Sequence, residues 1–330
     1  MVEEKLFAVI MAGGKGERLW PISTEDCPKP LISLDGRQTL LEDTVQRLFP
    51  LVKAENILVI TDGRSAVRAR EILPLPEENI IAEPCRRNTA PCIALAAAVV
   101  RQRCSDAVMV VLPADHRISP VRRFQEDLRD CITLALDGYL TVLGVVPDAP
   151  ATGYGYINVG DKISSVGYKV ASFREKPDPE TAVQYLLSGN YWWNCGIFIW
   201  KVDVIARAFQ IHAPQLYEKF LSWSEGSDYR LDFAECEKNS IDYAVMEKAD
   251  NVAAKQASFQ WNDLGTLASL YALTVKDNCE NAVRSAGSVQ LEDANGNFIF
   301  CDDETEIRLT CLRNCAVVKS GKALLITGKW

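Results

Sequence analysis

The 330 residues are enough for one large domain and a smaller one. The composition, 48% hydrophobic and 24% charged, is that of an ordinary globular protein, and it excludes a disordered or fibrous chain. A net charge of −8 excludes a broad nucleic-acid-binding face, but not a nucleotide held by a few local cations and backbone N–H groups.

In chain order, residues 6–12 read as the first strand. Its apolar start is too short for a leader or a membrane span, which predicts a cytoplasmic chain with no membrane partner. Further strands are expected at 56–61, 80–82, 107–112, 140–146, 170–174 and 195–200. The unbroken run Val108-Met109-Val110-Val111-Leu112 suits a strand covered on both faces. Helices are expected at 89–103, 122–136 and 179–188, the last with Pro179 in its first turn. Strand and helix alternating in this way predict an α/β fold with a mostly parallel sheet flanked by helices, whose ligands lie beyond the carboxyl ends of the strands. After about residue 274 the pattern changes to short strands at 288–291, 298–300, 307–309, 316–318 and 323–326, separated by turns such as Asn295-Gly296-Asn297. That predicts a small all-β segment with a coil-like repeat of roughly ten residues. The expected division is 1–275 and 276–330.

The eleven cysteines come with only two histidines, His116 and His212. Odd in number and scattered, they predict free thiols rather than disulfides or a zinc site.

The strongest local signal is Ala12-Gly13-Gly14-Lys15-Gly16-Glu17-Arg18 after the first strand. Its glycines permit positive φ and let backbone N–H groups reach a phosphate, and a following helix start would add its positive dipole end. The spacing is neither that of a dinucleotide fingerprint nor that of a P-loop. Arg18 ends the loop, and Lys29 follows between Pro28 and Pro30, which stiffen its backbone. Fixed cations of this kind are what nucleotidyl transfer needs, because charge builds on the α-phosphate and on departing pyrophosphate. The alternative for the loop alone is a plain glycine turn, and for Lys29 alone an exposed loop lysine.

Gly13-Gly14-x-Gly16-x-Arg18-Leu19-Trp20-Pro21 and Pro28-Lys29-Pro30 resemble the signature of sugar-1-phosphate nucleotidylyltransferases. Glu83-Pro84-x-x-Arg87-Asn88-Thr89-Ala90-Pro91 and Pro113-Ala114-Asp115-His116 are similar to the mannose-1-phosphate guanylyltransferases among them. The likeness runs on through Thr152–Ile157, Phe173–Asp178, Asn194-x-Gly196-Ile197-Phe198 and Trp261-Asn262-Asp263-Leu264-Gly265. It implies a Rossmann-like nucleotidyltransferase (GT-A-like) fold, with a mixed, mostly parallel sheet and a small C-terminal left-handed β-helix that commonly makes homodimer contacts. It also implies GTP and mannose 1-phosphate as substrates and Mg²⁺ as cofactor.

Several residues carry expectations of their own. Asp115 follows a buried strand, where a carboxylate needs a partner, and Asp263 is the only charge in 261–267. Two such carboxylates suit one Mg²⁺ completed by phosphate oxygens, and the resemblance gives Asp115 and Asp263 this role. The alternative for each is a helix cap or a salt bridge. Ala12, Gly13, Gly14, Gly16, Glu83, Arg87, Asn88 and Pro113 form the expected nucleotide set. Glu83 is a candidate acceptor for guanine's N1–H and N2–H, while Thr89 is expected only to cap its helix. By resemblance Glu175 and Asn194 hold sugar hydroxyls, Lys176 holds the 1-phosphate, and Gly153, Tyr154 and Gly155 border the hexose. Strand alternation puts Glu175 and Lys176 on opposite faces, unless a turn at Pro177 brings them together, and the alternative for the two is a surface ion pair worth little. Tyr191-Trp192-Trp193 could wall the pocket or simply pack, and Asp242 and Glu247 lie on a helix-like segment that could approach the sugar.

The expected reaction is direct attack of the sugar phosphate on the α-phosphorus, with Arg18, Lys29 and Asp115 as the catalytic group. The nucleophile is already an anion, so His116 need not act as a base. Departures from the family pattern are Glu17 for a frequent Thr, Pro30 for a frequent Gln and Leu267 for a frequent Trp. Two histidines cannot supply the isomerase half of longer relatives, so that activity is not expected. The rivals are transfer to another sugar such as a heptose, a non-catalytic sugar-nucleotide sensor, and a dehydrogenase with Asp35 as its ribose acid.

Overall fold

The computed structural model describes residues 3–14, 16–34 and 36–328; Lys15 and Asp35 lie outside the described residues. The chain divides into two compact units. Unit 1 comprises Met1–Gly13, Val45–Ala114 and Ile118–Trp261, and unit 2 comprises Gly14–Thr44, Asp115–Arg117 and Asn262–Trp330.

The strands are β1 (Leu6–Ala12), β2 (Ile57–Asp62), β3 (Ile80–Glu83), β4 (Val108–Pro113), β5 (Arg117–Ser119), β6 (Leu140–Val145), β7 (Tyr156–Lys162), β8 (Tyr168–Arg174), β9 (Tyr191–Lys201), β10 (Val252–Gln256), β11 (Gln260–Asn262), β12 (Ala282–Ser285), β13 (Val289–Glu292), β14 (Phe298–Cys301), β15 (Ile307–Thr310), β16 (Ala316–Ser320) and β17 (Ala323–Thr327). The α-helices are α1 (Leu40–Gln46), α2 (Gly63–Ile72), α3 (Thr89–Arg103), α4 (Val121–Leu136), α5 (Pro179–Ser188), α6 (Val202–His212), α7 (Pro214–Ser224) and α8 (Leu267–Leu273).

Unit 1 is built on a nine-stranded sheet in the order β3-β2-β1-β4-β9-β6-β10-β8-β7. Only β8 and β9 run against the rest, so the sheet is mixed and mostly parallel, as expected. The apolar run of β4 is buried on both faces because helices cover the sheet there. Helix α3 supplies part of that cover. Ala90, Ile93, Ala94, Ala96 and Ala97 are all buried, and small side chains let it lie close to its neighbours on every side. β1, β3 and β4 are parallel, so Ala12, Glu83 and Pro113 end at the same edge of the sheet.

Between β6 and β9 the register slips, with Val142 opposite Phe198 but Gly144 opposite Asn194. The bulge turns on Gly196 at φ 69°, a conformation glycine adopts without a Cβ penalty. Cysteines are free throughout, and Cys92, Cys131, Cys195, Cys236 and Cys301 are buried in packing roles.

Unit 2 holds a second core in which Leu19, Ile22, Ile32, Leu264, Leu267, Phe298 and Val318 are buried. Its β12, β14 and β16 stack in parallel, and so do β13 and β15. One coil runs from Ala282 to Phe298 and the next from Phe298 to Ala316, so the expected ten-residue repeat is corrected to two strands per coil. The turn residues mark each corner rather than each full circuit.

Candidate active site

The glycine loop leaves β1 at Ala12, whose carbonyl accepts from Thr61 Oγ1 at 2.7 Å. Gly13 and Gly14 are exposed, with Gly14 at φ 102°. Gly16 has a tighter requirement. Its φ is 65°, and a Cβ there would stand 2.7 Å from Ser23 Oγ and 2.8 Å from Lys29 Cβ. The expected helix start is corrected: only a single 3₁₀ turn, Glu17–Leu19, follows, because Trp20 precedes a proline and takes extended ψ. The helix-dipole contribution falls away. What remains for phosphate is the loop backbone and the cations. Glu17 is exposed, as its charge beside that loop requires.

In unit 2, Lys29 opens a short turn capped by Pro28 and is buried, not an exposed loop lysine. Its Nζ lies 2.8 Å from Asp115 Oδ2 and also donates to the backbone carbonyl of Asp263. His116 Nε2 is 3.9 Å from Asp115 Oδ1. Asp263 Oδ1 accepts from Gly265 N at 3.0 Å. A Cβ on Gly265 would stand 2.6 Å from Asp263 Oδ2 and 3.2 Å from Arg18 Nη2, so glycine leaves room for both groups. Arg18, Lys29, Asp115 and Asp263 thus gather from three distant chain segments. The Asp115 carboxylate lies against the ammonium, and the Asp263 carboxylate lies by Gly265 and Arg18. These are hard oxygen donors of the kind Mg²⁺ takes one or two at a time while leaving its other positions to phosphate and water.

In unit 1, Glu83 ends β3. Burial pushes its carboxyl up to about 7, against a hydrogen bond from the Cys92 thiol and the charge of Arg86, which lower it. Its Oε1 is buried without a hydrogen-bond partner among the described residues. Arg87 donates to the Ala234 carbonyl, and its own carbonyl accepts from Asn239 N at 3.3 Å. Asn88, at φ 68°, is the cap residue of α3 and accepts from Thr89 N at 2.9 Å. Thr89 does not cap the helix. It is the first helical residue, and its hydroxyl accepts from Ile241 N at 2.9 Å.

That contact leads into the residues expected to hold the sugar, also in unit 1. Asn194 Nδ2 donates to Asp242 Oδ1 at 3.0 Å, its Oδ1 accepts from Gly196 N at 2.8 Å, and its N–H donates to Gly155 O at 2.8 Å. A Cβ on Gly155 would lie 2.5 Å from Glu175 Oε2. Gly153 meets nothing comparable. Of the alternatives for Glu175 and Lys176, strand alternation does not hold: β8 ends at Arg174, Lys176 takes φ 48°, and their charged groups meet as an ion pair at 2.9 Å. Tyr154 packs edge-on against Trp193 and Trp261, with centroids 5.1 and 5.0 Å away, while Pro113 lies beside Gly196. Burial first, and the Glu175 charge second, push Asp242 up to about 6. Asp242 opens a π-helical turn, Asp242–Met246, and is central to this group, whereas Glu247 is exposed. Its sequence signal was a lone acid entering an apolar run.

A family model described as nucleotidyl transferase matches residues 7–280. The chain belongs to the nucleotidyl transferase family. It is similar to mannose-1-phosphate guanylyltransferase RfbM of Salmonella typhimurium, with 36% identity over 97% of this chain and 69% of the relative. It is similar also to the mannose-1-phosphate guanylyltransferase of Salmonella muenchen, with 34% identity over 98% of this chain and 71% of the relative. Among solved structures, a Thermus thermophilus protein named mannose-1-phosphate geranyltransferase superposes with a TM-score of 0.91 and 34% identity, covering 98% of this chain and 95% of that one. The motif resemblance is therefore borne out, and with it the expectation of a nucleotidyltransferase enzyme. Among the described residues no helix is long and apolar enough to cross a membrane.

Proposed function

We propose that the chain transfers GMP from GTP to mannose 1-phosphate, releasing pyrophosphate. The observation that carries this reading is the group of Arg18, Lys29, Asp115 and Asp263, two cations and two carboxylates drawn together from three separate chain segments. It is supported by relatives named for that activity.

The attacking oxygen belongs to an anion, so no side chain has to remove a proton. The work is positioning and neutralisation. Gly13, Gly14 and Gly16 offer backbone N–H groups to the triphosphate. Lys29, held between Asp115 and the Asp263 carbonyl, is oriented before substrate arrives and meets the charge that develops on the α-phosphate and leaving group. Arg18 supplies a second, planar cation. Asp115 and Asp263 would hold Mg²⁺, which when bound supplies charge neutralisation across the phosphates. Glu83, with an unpaired buried oxygen, accepts from guanine N–H groups that adenine lacks. Glu175 and Asn194 receive the sugar hydroxyls, Asp242 holds Asn194 in place, and Lys176 takes the 1-phosphate.

A pyrophosphate-release assay tests this directly, pairing four nucleoside triphosphates with mannose, glucose and heptose 1-phosphates in the presence of Mg²⁺. GTP with mannose 1-phosphate should lead the panel. A heptose 1-phosphate in front would reassign the sugar, and no release from any pair would favour a sugar-nucleotide sensor.

A further inference from the structure

Within unit 1, a set of hydrogen bonds ties the start of α3 to the stretch that leads into the π-helical turn Asp242–Met246. Asn239 N donates to Arg87 O at 3.3 Å, and Ala90 N donates to Asn239 O at 3.1 Å. The Arg87 side chain adds a bond to the Ala234 carbonyl, and Thr89 Oγ1 accepts from Ile241 N at 2.9 Å. The start of a helical turn carries N–H groups with no partner inside the turn, and here two hydroxyls meet them. Ser240 Oγ accepts from Tyr243 N at 3.3 Å. Thr89, 152 positions away along the chain, takes the N–H of Ile241. Ile241 is buried, so an unpaired N–H there would be costly.

The residue after Ile241 is Asp242, whose Oδ1 accepts from Asn194 Nδ2 at 3.0 Å. The amide oxygen of Asn194 accepts from Gly196 N at 2.8 Å, so Asp242 and Gly196 together fix both ends of that amide. A short path therefore joins Thr89 to Asn194: a hydroxyl, a backbone N–H, one residue of chain and a carboxylate.

We infer that Thr89 is a positioning residue for the sugar, an inference that rests on the reading of Asn194 as a sugar ligand. Thr89 adjoins Asn88 in the segment proposed to meet the purine, yet its hydroxyl acts on the other substrate. It fixes the start of the turn, the turn aims Asp242, and Asp242 orients the Asn194 amide. The two bonds of Asn239 are made by backbone and survive the loss of any side chain. Deleting the Thr89 hydroxyl thus leaves the two segments joined but strips Ile241 N of its acceptor. That N–H then moves to find another partner, and Asp242 moves with it. Arg87 and Ala90, still bonded to Asn239, keep the purine segment in place.

The test is steady-state pyrophosphate release by the full chain with Mg²⁺, varying GTP and mannose 1-phosphate in turn. Thr89→Val keeps the shape of the side chain and removes the hydroxyl. It should raise the KM for mannose 1-phosphate by about tenfold and leave the KM for GTP within about twofold. Thr89→Ser, which keeps the hydroxyl, should bring the sugar KM back to within about twofold of wild type. Asn194→Ala should itself raise the sugar KM by about tenfold or more. In that background Thr89→Val should add less than about twofold, because the residue it acts through is gone. A merely structural role at Thr89 would raise the KM for GTP at least as much as that for the sugar, or would multiply with Asn194→Ala. Either result overturns the inference, and so does a sugar KM that Thr89→Val leaves unmoved while Asn194→Ala raises it. A sugar KM unmoved by Asn194→Ala removes Asn194 from the sugar and the inference with it. Melting curves check each variant, and if Thr89→Val does not fold, Thr89→Ala makes the same comparison without the hydroxyl.

Discussion

Lys29 and Asp115 pair at 2.8 Å with both side chains largely shielded from water, and the same ammonium is held by the Asp263 carbonyl. Each charge therefore depends on the other for its solvation. Lys29→Met should lower kcat for pyrophosphate release by roughly 10²–10³-fold. It should also cost up to about 3 kcal/mol of stability, because Asp115 is left partly buried and unpaired. Adding Asp115→Asn should restore the melting temperature without restoring turnover. Recovery of both together would mean the pair is structural only.

Gly155 carries no positive φ, so Ala would strain nothing in the backbone; the conflict lies with the Glu175 carboxylate 2.5 Å from the added Cβ. Gly155→Ala should raise the KM for mannose 1-phosphate by about tenfold, as a sugar-binding carboxylate is pushed aside, and leave the KM for GTP within about twofold. Steady-state kinetics with each substrate varied in turn measures the split. An equal effect on both constants would remove Glu175 from the sugar set.

Burial holds the Glu83 carboxyl up at about 7 in the free chain. Donors on guanine stabilise the ionised form, so the KM for GTP should fall as pH rises from about 6 to about 8. Glu83→Gln should flatten that profile, and Glu83→Ala should lose the preference for GTP over ATP. A Glu83→Ala enzyme as selective as wild type would end the base-reading assignment.

Asp242, raised to about 6 by burial and by Glu175, keeps its proton in the folded chain at pH values where the unfolded chain has released it. Between about pH 4 and 6 the native state therefore binds more protons, and the Asp242 contribution to stability falls as pH rises through that window. Asp242→Asn should reduce that loss by about 1–2 kcal/mol, read from urea unfolding at pH 4 and pH 7. It should also raise the KM for mannose 1-phosphate, because the partner that orients Asn194 becomes an amide. An unchanged pH dependence of stability would place the titration elsewhere.

Much of this was legible along the chain. Continuous apolar runs placed β1 and β4, and Ala-rich periodicity placed α3, because burial on all sides leaves a compositional trace. The glycine loop, Lys29, Asp115 and Asp263 stood out because phosphate chemistry needs those residue types in unusual local settings. The turn after Arg174 was harder. Nothing in Glu175-Lys176 announces φ 48° at Lys176, a conformation a lysine adopts only where its surroundings demand it.

Sequence by itself determined the order of the proposed chemistry along the chain: a phosphate loop with its cations, then an acid-and-amide segment proposed to read the purine, then a segment proposed to hold the sugar. Only the tertiary structure decided that Gly14–Thr44, Asp115–Arg117 and Asn262–Trp330 gather into one unit, so that a single ammonium meets Asp115 and the Asp263 backbone. It also decided that Asp242 reaches Asn194. Charge type and glycine placement are local properties that composition records. The meeting of residues far apart in sequence is fixed by how buried surfaces pack, and no single segment encodes it.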